Sequence, residues 1–509
     1  MTFLRVTLWL GAATMATRVL GFLRDVLLAS VLGTGPVAEA FFVALRLPNL
    51  VRRAMGEGGW NAGYVPLASH LRAAGDREGL RILARDSLAL VSLIAFALVL
   101  TGEIFAPALV RVMAPGLDEG TRLHAVFYLR VAMPLIFGVL LSSLITSILV
   151  AQHRFTAQAF IPVLVNASLV AVLLMFDTLT GGDLSYGGFL LALTASLAAL
   201  VQILLMVPAL FSGVETPLLD RPRLNPNVRR MIALSAPGFV IQIAGQIAVL
   251  LVLQSASHIP QAIAHLNYAD RVAQLPFGFI ASGLATVALP AFAAELRKGM
   301  GASFHAAMDR AFGLALAFAL PAAVALVMLA EPITAVLFER GAFTASDRIG
   351  TAAALAGFAV SLPFAALARV QMQVYFAREQ TRVPLIAAGL GLAATILALW
   401  GLSDRFGVFG LALALAFGQI VTVLVQHLGL NPLTGWQISR ALIGLKLRVT
   451  AASGIMALAL AALSPFAAHV LDLDASLSIR AGALAVLCLG GLLVYAATAW
   501  VLGLHRRLR

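Results

Sequence analysis

Charge is scarce in this sequence. Of 509 residues only 11% are Asp, Glu, Lys or Arg, 61% are hydrophobic, and the mean hydropathy is +0.97. A soluble domain has too little interior to hide that much apolar surface, so a water-soluble globular chain is excluded and the bilayer is the solvent. Cysteine is nearly absent: Cys488 stands alone in an apolar run, which rules out an internal disulfide framework. Lysine is nearly missing as well, with only Lys298 and Lys446, so arginine carries the formal charge of +12. Those arginines lie mostly in short loops and form no continuous basic domain, which argues against nucleic acid as a partner. There is no Walker-type Gly-Lys-Ser/Thr motif to cradle a nucleotide phosphate. Nor does a signal-peptide cleavage pattern follow Arg5, so the first apolar stretch reads as a retained helix.

An enzyme acting on membrane phosphates needs a metal-binding acid cluster or a base–nucleophile pair. The nine histidines are scattered, and His258 and His265, seven apart near a loop, read as interfacial residues rather than ligands. No catalytic residue, metal site or cofactor is expected.

What the sequence does have is long apolar runs. A helix needs roughly 20 such residues to cross about 30 Å of hydrocarbon. Runs of that kind fall near 6–32, 37–69, 86–113, 123–150, 157–176, 186–211, 227–256, 261–295, 304–338, 348–376, 383–402, 406–429, 447–470 and 480–504. The expected fold is therefore an all-α integral membrane protein with about 14 transmembrane helices. Alternate loops differ in charge. One set holds Arg72, Arg77, Arg81, Arg85, His153, Arg154, Arg221, Arg223, Arg229, Arg230, Arg297, Lys298, Arg378, Arg382, Arg440, Lys446 and Arg448. The other holds Asp118, Glu119, Asp177, Asp183, Glu339, Asp347, Asp404, Asp472 and Asp474. With the termini included, the first side carries 20 Lys/Arg and the second five, which places both ends in the cytoplasm.

One offset recurs. Arg46, Pro107, Gly116 and Thr156 each have an identical residue 225 positions on, at Arg271, Pro332, Gly341 and Thr381. "FAPALVRVMAPG" stands opposite "LAEPITAVLFERG". The offset spans six helices, an even number, so the halves enter the membrane the same way round. Two parallel six-helix lobes around a central cavity follow. The lobes are expected at 1–220 and 221–435, with the last two spans, 436–509, as an addition.

Ten arginines remain inside the apolar runs: Arg18, Arg24, Arg46, Arg52, Arg53, Arg111, Arg130, Arg271, Arg310 and Arg369. Each costs at least ~2.5 kcal/mol facing lipid at the bilayer centre, so most face protein or water. Arg111, Arg130 and Arg310 fit snorkelling or local pairing. The first two spans differ. Residues seven apart share a helix face, which groups Arg18 with Asp25, and Arg24 lies beside them. In "EAFFVALRLPNLVRRAMGEGGW", Glu39, Arg46, Asn49 and Arg53 follow one stripe, with Arg52 next to it. Pro48 removes a backbone donor there, and glycines 56, 58 and 59 around Glu57 loosen the following turn. In the eighth span, "NYADRVAQLPFG" adds Asp270, Arg271 and Gln274. Broken, cation-loaded helices are tolerated where they line a cavity. Interhelical ion pairing is the plainer alternative, but the cations outnumber Asp25, Glu39, Glu57 and Asp270. A positive pocket of guanidinium forks suits an anionic, phosphorylated ligand.

Four stretches, "RVLGFLRDVLLASVLG", "AEAFFVALRLPNLVRRAMGEGGWNAGYVP", "YADRVAQLPFGFIASGLATVALP" and "LFERGAFTASD", resemble the signatures of the MurJ (MviN) lipid II flippases of the multidrug/oligosaccharidyl-lipid/polysaccharide exporter superfamily. The resemblance runs from the first span to the tenth. It implies a multi-pass bacterial inner-membrane protein that moves undecaprenyl-pyrophosphate-linked peptidoglycan precursor, lipid II, from the cytoplasmic to the periplasmic leaflet. It implies a substrate site of Arg18, Arg24, Asp25, Asn49, Arg52, Arg53 and Arg271, with Glu57 at its mouth. It also implies an apolar groove for the lipid tail on spans 13 and 14, contact with membrane lipids, and the cell-wall synthesis machinery as a further partner. Gln274 departs from members that carry an acid there. Spans 7, 11 and 12 contain no acid, unlike members with a sodium site, so no comparable site is expected. Without a nucleotide motif, the membrane potential is the expected drive. A flippase for another lipid-linked glycan fits the same electrostatics. A multidrug antiporter of the same superfamily calls instead for unpaired acids in its cavity.

Overall fold

The computed structural model describes residues 3–507 except 57–58, 153, 155, 213–222, 299–300, 379, 464 and 467–475. Among the described residues all regular structure is helical. Contacts divide the chain into two compact units, Met1–Gln246 and Ile247–Arg509. The first contains α1 (Phe3–Leu32), α2 (Pro36–Ala44), α3 (Arg46–Gly56), α4 (Asn61–Ala73), α5 (Arg77–Met113), α6 (Glu119–Ala132), α7 (Pro134–Ala151), α8 (Thr156–Leu174), α9 (Phe176–Thr180) and α10 (Leu184–Phe211). The division falls inside α11 (Pro226–Ala256). The second unit contains α12 (Ala262–Lys298), α13 (Ala302–Met328), α14 (Ala330–Phe338), α15 (Ala345–Ala377), α16 (Arg382–Thr434), α17 (Arg440–Ala462), α18 (Leu477–Val501) and α19 (Leu504–Arg507).

Among the described residues, eight helical segments are long and apolar enough to cross a membrane. Their mean hydropathies over the best window run from 1.5 to 2.4. The fold is therefore an all-α, multi-span membrane fold. The longest helix, α16, folds back on itself at Gly407, whose φ of 52° lies in the left-handed region that glycine enters without a Cβ clash.

Proline sets several of the breaks by removing one backbone donor. Pro48 has no N–H for the carbonyl of Ala44, four residues back, and α2 ends at Ala44. Pro332 does the same to Met328, where α13 ends. The second apolar run is divided into α2, α3 and α4, with Gly59 and Trp60 in a turn before α4 begins at Asn61. The 225-residue offset reappears in the helix ends. α5 stops at Met113 and α14 at Phe338, and each is followed by a glycine three residues on. α5 nevertheless runs through Pro107 unbroken, whereas its counterpart Pro332 accompanies a break.

Helix ends are capped by side chains. The Asp118 carboxylate accepts from the Thr121 backbone N–H at 3.0 Å at the start of α6, and these hydrogen bonds hold its pKa below the usual carboxylate range. Thr344 and Asp347 form a reciprocal capping box on α15. Arg72 donates to the carbonyl of Ala151, the last residue of α7, and Arg154 donates to that of Ala209 in the last turn of α10. Cations on these carbonyls offset the negative end of the helix dipole. At the start of α11, Asn225 accepts from Val228 N at 2.9 Å and donates to buried Asp86, which also pairs with Arg85 at 2.8 Å.

Packing between helices relies on small residues, which let backbones approach where lipid supplies no hydrophobic drive between helices. The two legs of α16 meet at Gly391 and Gly418. A Cβ on Gly418 would lie 2.8 Å from the Gly391 carbonyl and far inside the contact radius of Thr395 Oγ1. In contrast, a Cβ on Gly389 meets nothing within 4 Å. Gly418→Val should cost about 1–3 kcal/mol through overpacking. Gly389→Val should leave the melting temperature in detergent unchanged, and a thermal-shift comparison of the two variants checks both.

Candidate functional site

The first candidate cations lie on α1. Arg18 is half-buried, and seven residues on, Asp25 is 8% exposed. Arg24 turns its guanidinium along the helix: Nε and Nη2 both donate to Asp25 Oδ1, at 3.0 and 2.6 Å. Its Nη1 donates to Asn166 Oδ1 of α8 at 3.0 Å. Asn166 in turn donates from Nδ2 to the Thr17 carbonyl at 3.3 Å, so one amide bridges two levels of α1. Gly21 lies beside it: a Cβ there would make an ordinary contact with the Asn166 side chain at 3.5 Å. Three of the five guanidinium N–H groups are engaged in these bonds, which fix the plane of the fork. A carboxylate and an amide around one arginine are what a charge needs to stand in a low-dielectric slab.

On α3 the side chains pair along the helix. Asn49 Oδ1 accepts from Arg52 Nε and Nη2 at 3.2 and 2.9 Å, an i,i+3 contact. Arg52 is exposed and Arg53 half-buried. Glu57 lies outside the described residues. Arg271 stands half-buried on α12, in the second unit, where neighbouring Asp270 accepts a hydrogen bond from Gln274. The structure thus joins Arg24 with Asp25, and Asn49 with Arg52.

Sequence reasoning missed Asn166. Its only signal was a lone amide in the apolar run "LVNASLV", where a polar group implies a partner on a neighbouring helix. It also treated Glu339 and Asp347 as loop acids, yet both are buried, at 8% and 3% exposure. Of the two histidines considered, His258 is exposed, whereas His265 is buried and its Nδ1 lies 3.0 Å from Thr351 Oγ1. Among the described residues, no group of three or more His, Cys, Asp or Glu side chains converges to hold a metal ion. In the acid-free spans of α16, Thr395 and Thr422 direct their hydroxyls to carbonyls of their own turn, Gly391 and Gly418, at 3.0 and 2.9 Å.

The family model described as "Lipid II flippase MurJ" matches residues 28–476. The chain belongs to the MurJ family. A "Probable lipid II flippase MurJ" of Rhizobium meliloti (strain 1021) is 32% identical over 496 residues, covering 97% of this chain and 92% of that protein. A "Lipid II flippase MurJ" of Burkholderia cenocepacia is 28% identical over 452 residues, covering 86% of each. Among solved structures, "Lipid II flippase MurJ, inward closed conformation" matches with TM-score 0.77 at 23% identity, over 97% of this chain and 98% of that one. An inward-facing multidrug-resistance MATE transporter of the MOP superfamily matches with TM-score 0.70 at 20% identity, over 82% of this chain and 94% of that one. At those identities the solved structures speak to fold, while the family match carries membership. This MurJ-family chain is a multi-pass inner-membrane transporter and not an enzyme.

Asn166→Ala removes one acceptor from Arg24 and one donor from Thr17. The expected result is a loss of about 1 kcal/mol of stability, typical of a polar contact inside a membrane protein. Transport should fall about fivefold, since ~1.4 kcal/mol corresponds to a factor of ten. Thermal unfolding and complementation of a strain depleted of its own flippase measure the two effects.

Proposed function

We propose that this chain carries lipid II, the polyprenyl-pyrophosphate-linked peptidoglycan precursor, from the cytoplasmic to the periplasmic leaflet by alternating access. In this reading 14 helices span the membrane with both termini in the cytoplasm. Spans 1–6 (1–220) and 7–12 (221–435) form two parallel lobes about a central cavity. Spans 13 and 14 (436–509) offer an apolar groove to the lipid tail. Membrane lipids surround the groove, and the cell-wall synthesis machinery supplies and consumes the substrate.

The observation that carries this reading is the fixed Arg24 fork, held by Asp25 and Asn166 on helices otherwise built for lipid. Arg18, Arg24, Arg52, Arg53 and Arg271 supply five guanidiniums against the carboxylates of Asp25 and Glu57, with Asn49 as a neutral donor and acceptor. That excess suits a pyrophosphate, whose oxygens take guanidinium N–H groups in pairs. It does not suit the cationic drugs of a multidrug exporter. The headgroup is too polar for hydrocarbon and the tail too long to leave it. A cavity open sideways to the bilayer accommodates both, with pyrophosphate on the arginines and the tail outside.

An inside-negative potential acts on each elementary charge by roughly 2.3 kcal/mol per 100 mV. It pushes the anionic headgroup outward and draws the emptied cationic cavity back, so both half-cycles run downhill without ATP. Labelled lipid II in proteoliposomes, scored by leaflet, should transfer outward under an imposed inside-negative voltage and stop when the voltage is collapsed. Transfer that continues unchanged rules out the electrical drive. Arg24→Ala and Arg271→Ala should each abolish transfer while the protein stays in the membrane. Full complementation by both variants would show that the site lies elsewhere.

A further inference from the structure

One face of the first unit carries charge where lipid is expected. Of its three described apolar segments long enough to span a membrane, α5 is the least covered: 28% of its apolar window is buried, against 39% for α10 and 67% for α6 with α7. Phe96, Leu100 and Glu103 follow at intervals of four and three residues, which sets them on one side of α5. Phe96 and Leu100 are exposed, and Glu103 is half-buried. α6 packs against α5 and repeats the pattern. There Leu123, Phe127 and Arg130 stand at the same two intervals, and all three are exposed. Each helix thus presents an apolar stripe that ends in one charge, and the two charges are of opposite sign.

The two charges stand level. Glu103 comes ten residues before the end of α5 at Met113, and Arg130 eleven after the start of α6 at Glu119. At 1.5 Å per residue each lies about 15 Å from the turn that joins the helices. A glutamate side chain is too short to escape over that distance to the helix end. Arg130 is near enough for its charge to act on the Glu103 carboxylate. Among the described residues, however, neither side chain takes a hydrogen bond or an ion pair. Charges on the apolar face of a spanning helix are costly until something polar covers them. Elsewhere the chain supplies that cover itself, to Arg24 through Asp25 and Asn166 and to Arg348 through Glu339. At Glu103 and Arg130 no described group of this chain does so.

We propose that this face of α5 and α6 docks a second copy of the chain about a two-fold axis along the membrane normal, with Glu103 of each copy paired to Arg130 of the other. Charge complementarity selects the occupant. A face with one charge of each sign at one depth complements itself on such a rotation, because the operation preserves depth and exchanges the partners. A foreign helix has to bring the same two signs, reversed, to the same level. The apolar members of the stripes then close around the two ion pairs, and the low dielectric strengthens them. The inference concerns assembly and is independent of which lipid is carried.

The test uses the full chain in vesicles of phosphatidylethanolamine and phosphatidylglycerol, with donor or acceptor dye on Cys488, its single and exposed cysteine. Wild-type copies should transfer energy beyond chance proximity at the same lipid dilution. Glu103→Arg alone and Arg130→Glu alone each set like charges across the axis and should weaken association at least tenfold. Glu103→Arg copies mixed with Arg130→Glu copies should associate as wild type does, because both pairs across the axis are restored. Mixing alters no contact inside either chain, so this rescue separates an interface from a role within the fold. Should a charge reversal fail to insert, cross-linking reads the same face. With Cys488→Ser, Leu100→Cys should join copy to copy through a short bis-maleimide, and Leu397→Cys, also exposed but on α16, should not. Wild-type copies that show no transfer at any dilution overturn the proposal, whether lipid or a helix of another protein covers the face. So do single reversals that associate as well as wild type, a mixture that is not rescued, or equal cross-linking at the two positions.

Discussion

A guanidinium set among apolar helices must be given partners, and each compact unit meets that constraint. Arg24 is the clearest case. Its charge is balanced by the adjacent carboxylate, and its plane is set by an amide 142 residues away on α8. The bridge by Asn166 back to the Thr17 carbonyl fixes α1 against α8 at the level of Gly21. The same rule governs the second unit. Glu339 collects Arg348 and Arg480, and Asp309 takes the indole of Trp436. Charge in this protein is rare, and where it is buried it joins one helix to another or closes a helix end.

How much of this was legible in the sequence depends on range. Hydropathy placed the long helices because lipid demands an apolar run of set length, and that signal is local. The missing donor at Pro48 and the glycines after it marked where the second run breaks, into α2, α3 and α4. The candidate arginines were visible because an apolar background makes each one conspicuous. Their partners were not. Asn166 is an ordinary amide in the sequence, and only the packing of α1 on α8 turns it into a ligand for Arg24. Glu339 and Asp347 looked like loop acids because they follow the end of an apolar run. Both are buried: Glu339 accepts from Arg348 at 3.0 Å with Arg480 3.8 Å away, and Asp347 closes the capping box with Thr344.

The repeat is a middle case. Four identities at one spacing suggested it, and helix ends at Met113 and Phe338 follow the same interval. The two copies are not equivalent in detail. Pro107 sits within a continuous helix and Pro332 beside a break, so one residue type has two outcomes set by its surroundings. Family membership then supplies what spacing does not, the transported class of molecule, while the local geometry shows that the Arg24 guanidinium is held in place by Asp25 and Asn166.

Arg72 and Arg154 close the ends of α7 and α10 through the carbonyls of Ala151 and Ala209. In the proposed topology Arg72, in the last turn of α4, and Arg154, just after α7, lie on the side whose surplus of positive charge biases how the chain threads during synthesis. One side chain therefore serves as an address label for the insertion machinery and later as a stopper on a finished helix. Replacing either by a neutral residue weakens the threading bias and frays the helix together. Selection against drift at these two positions should exceed what surface exposure alone suggests.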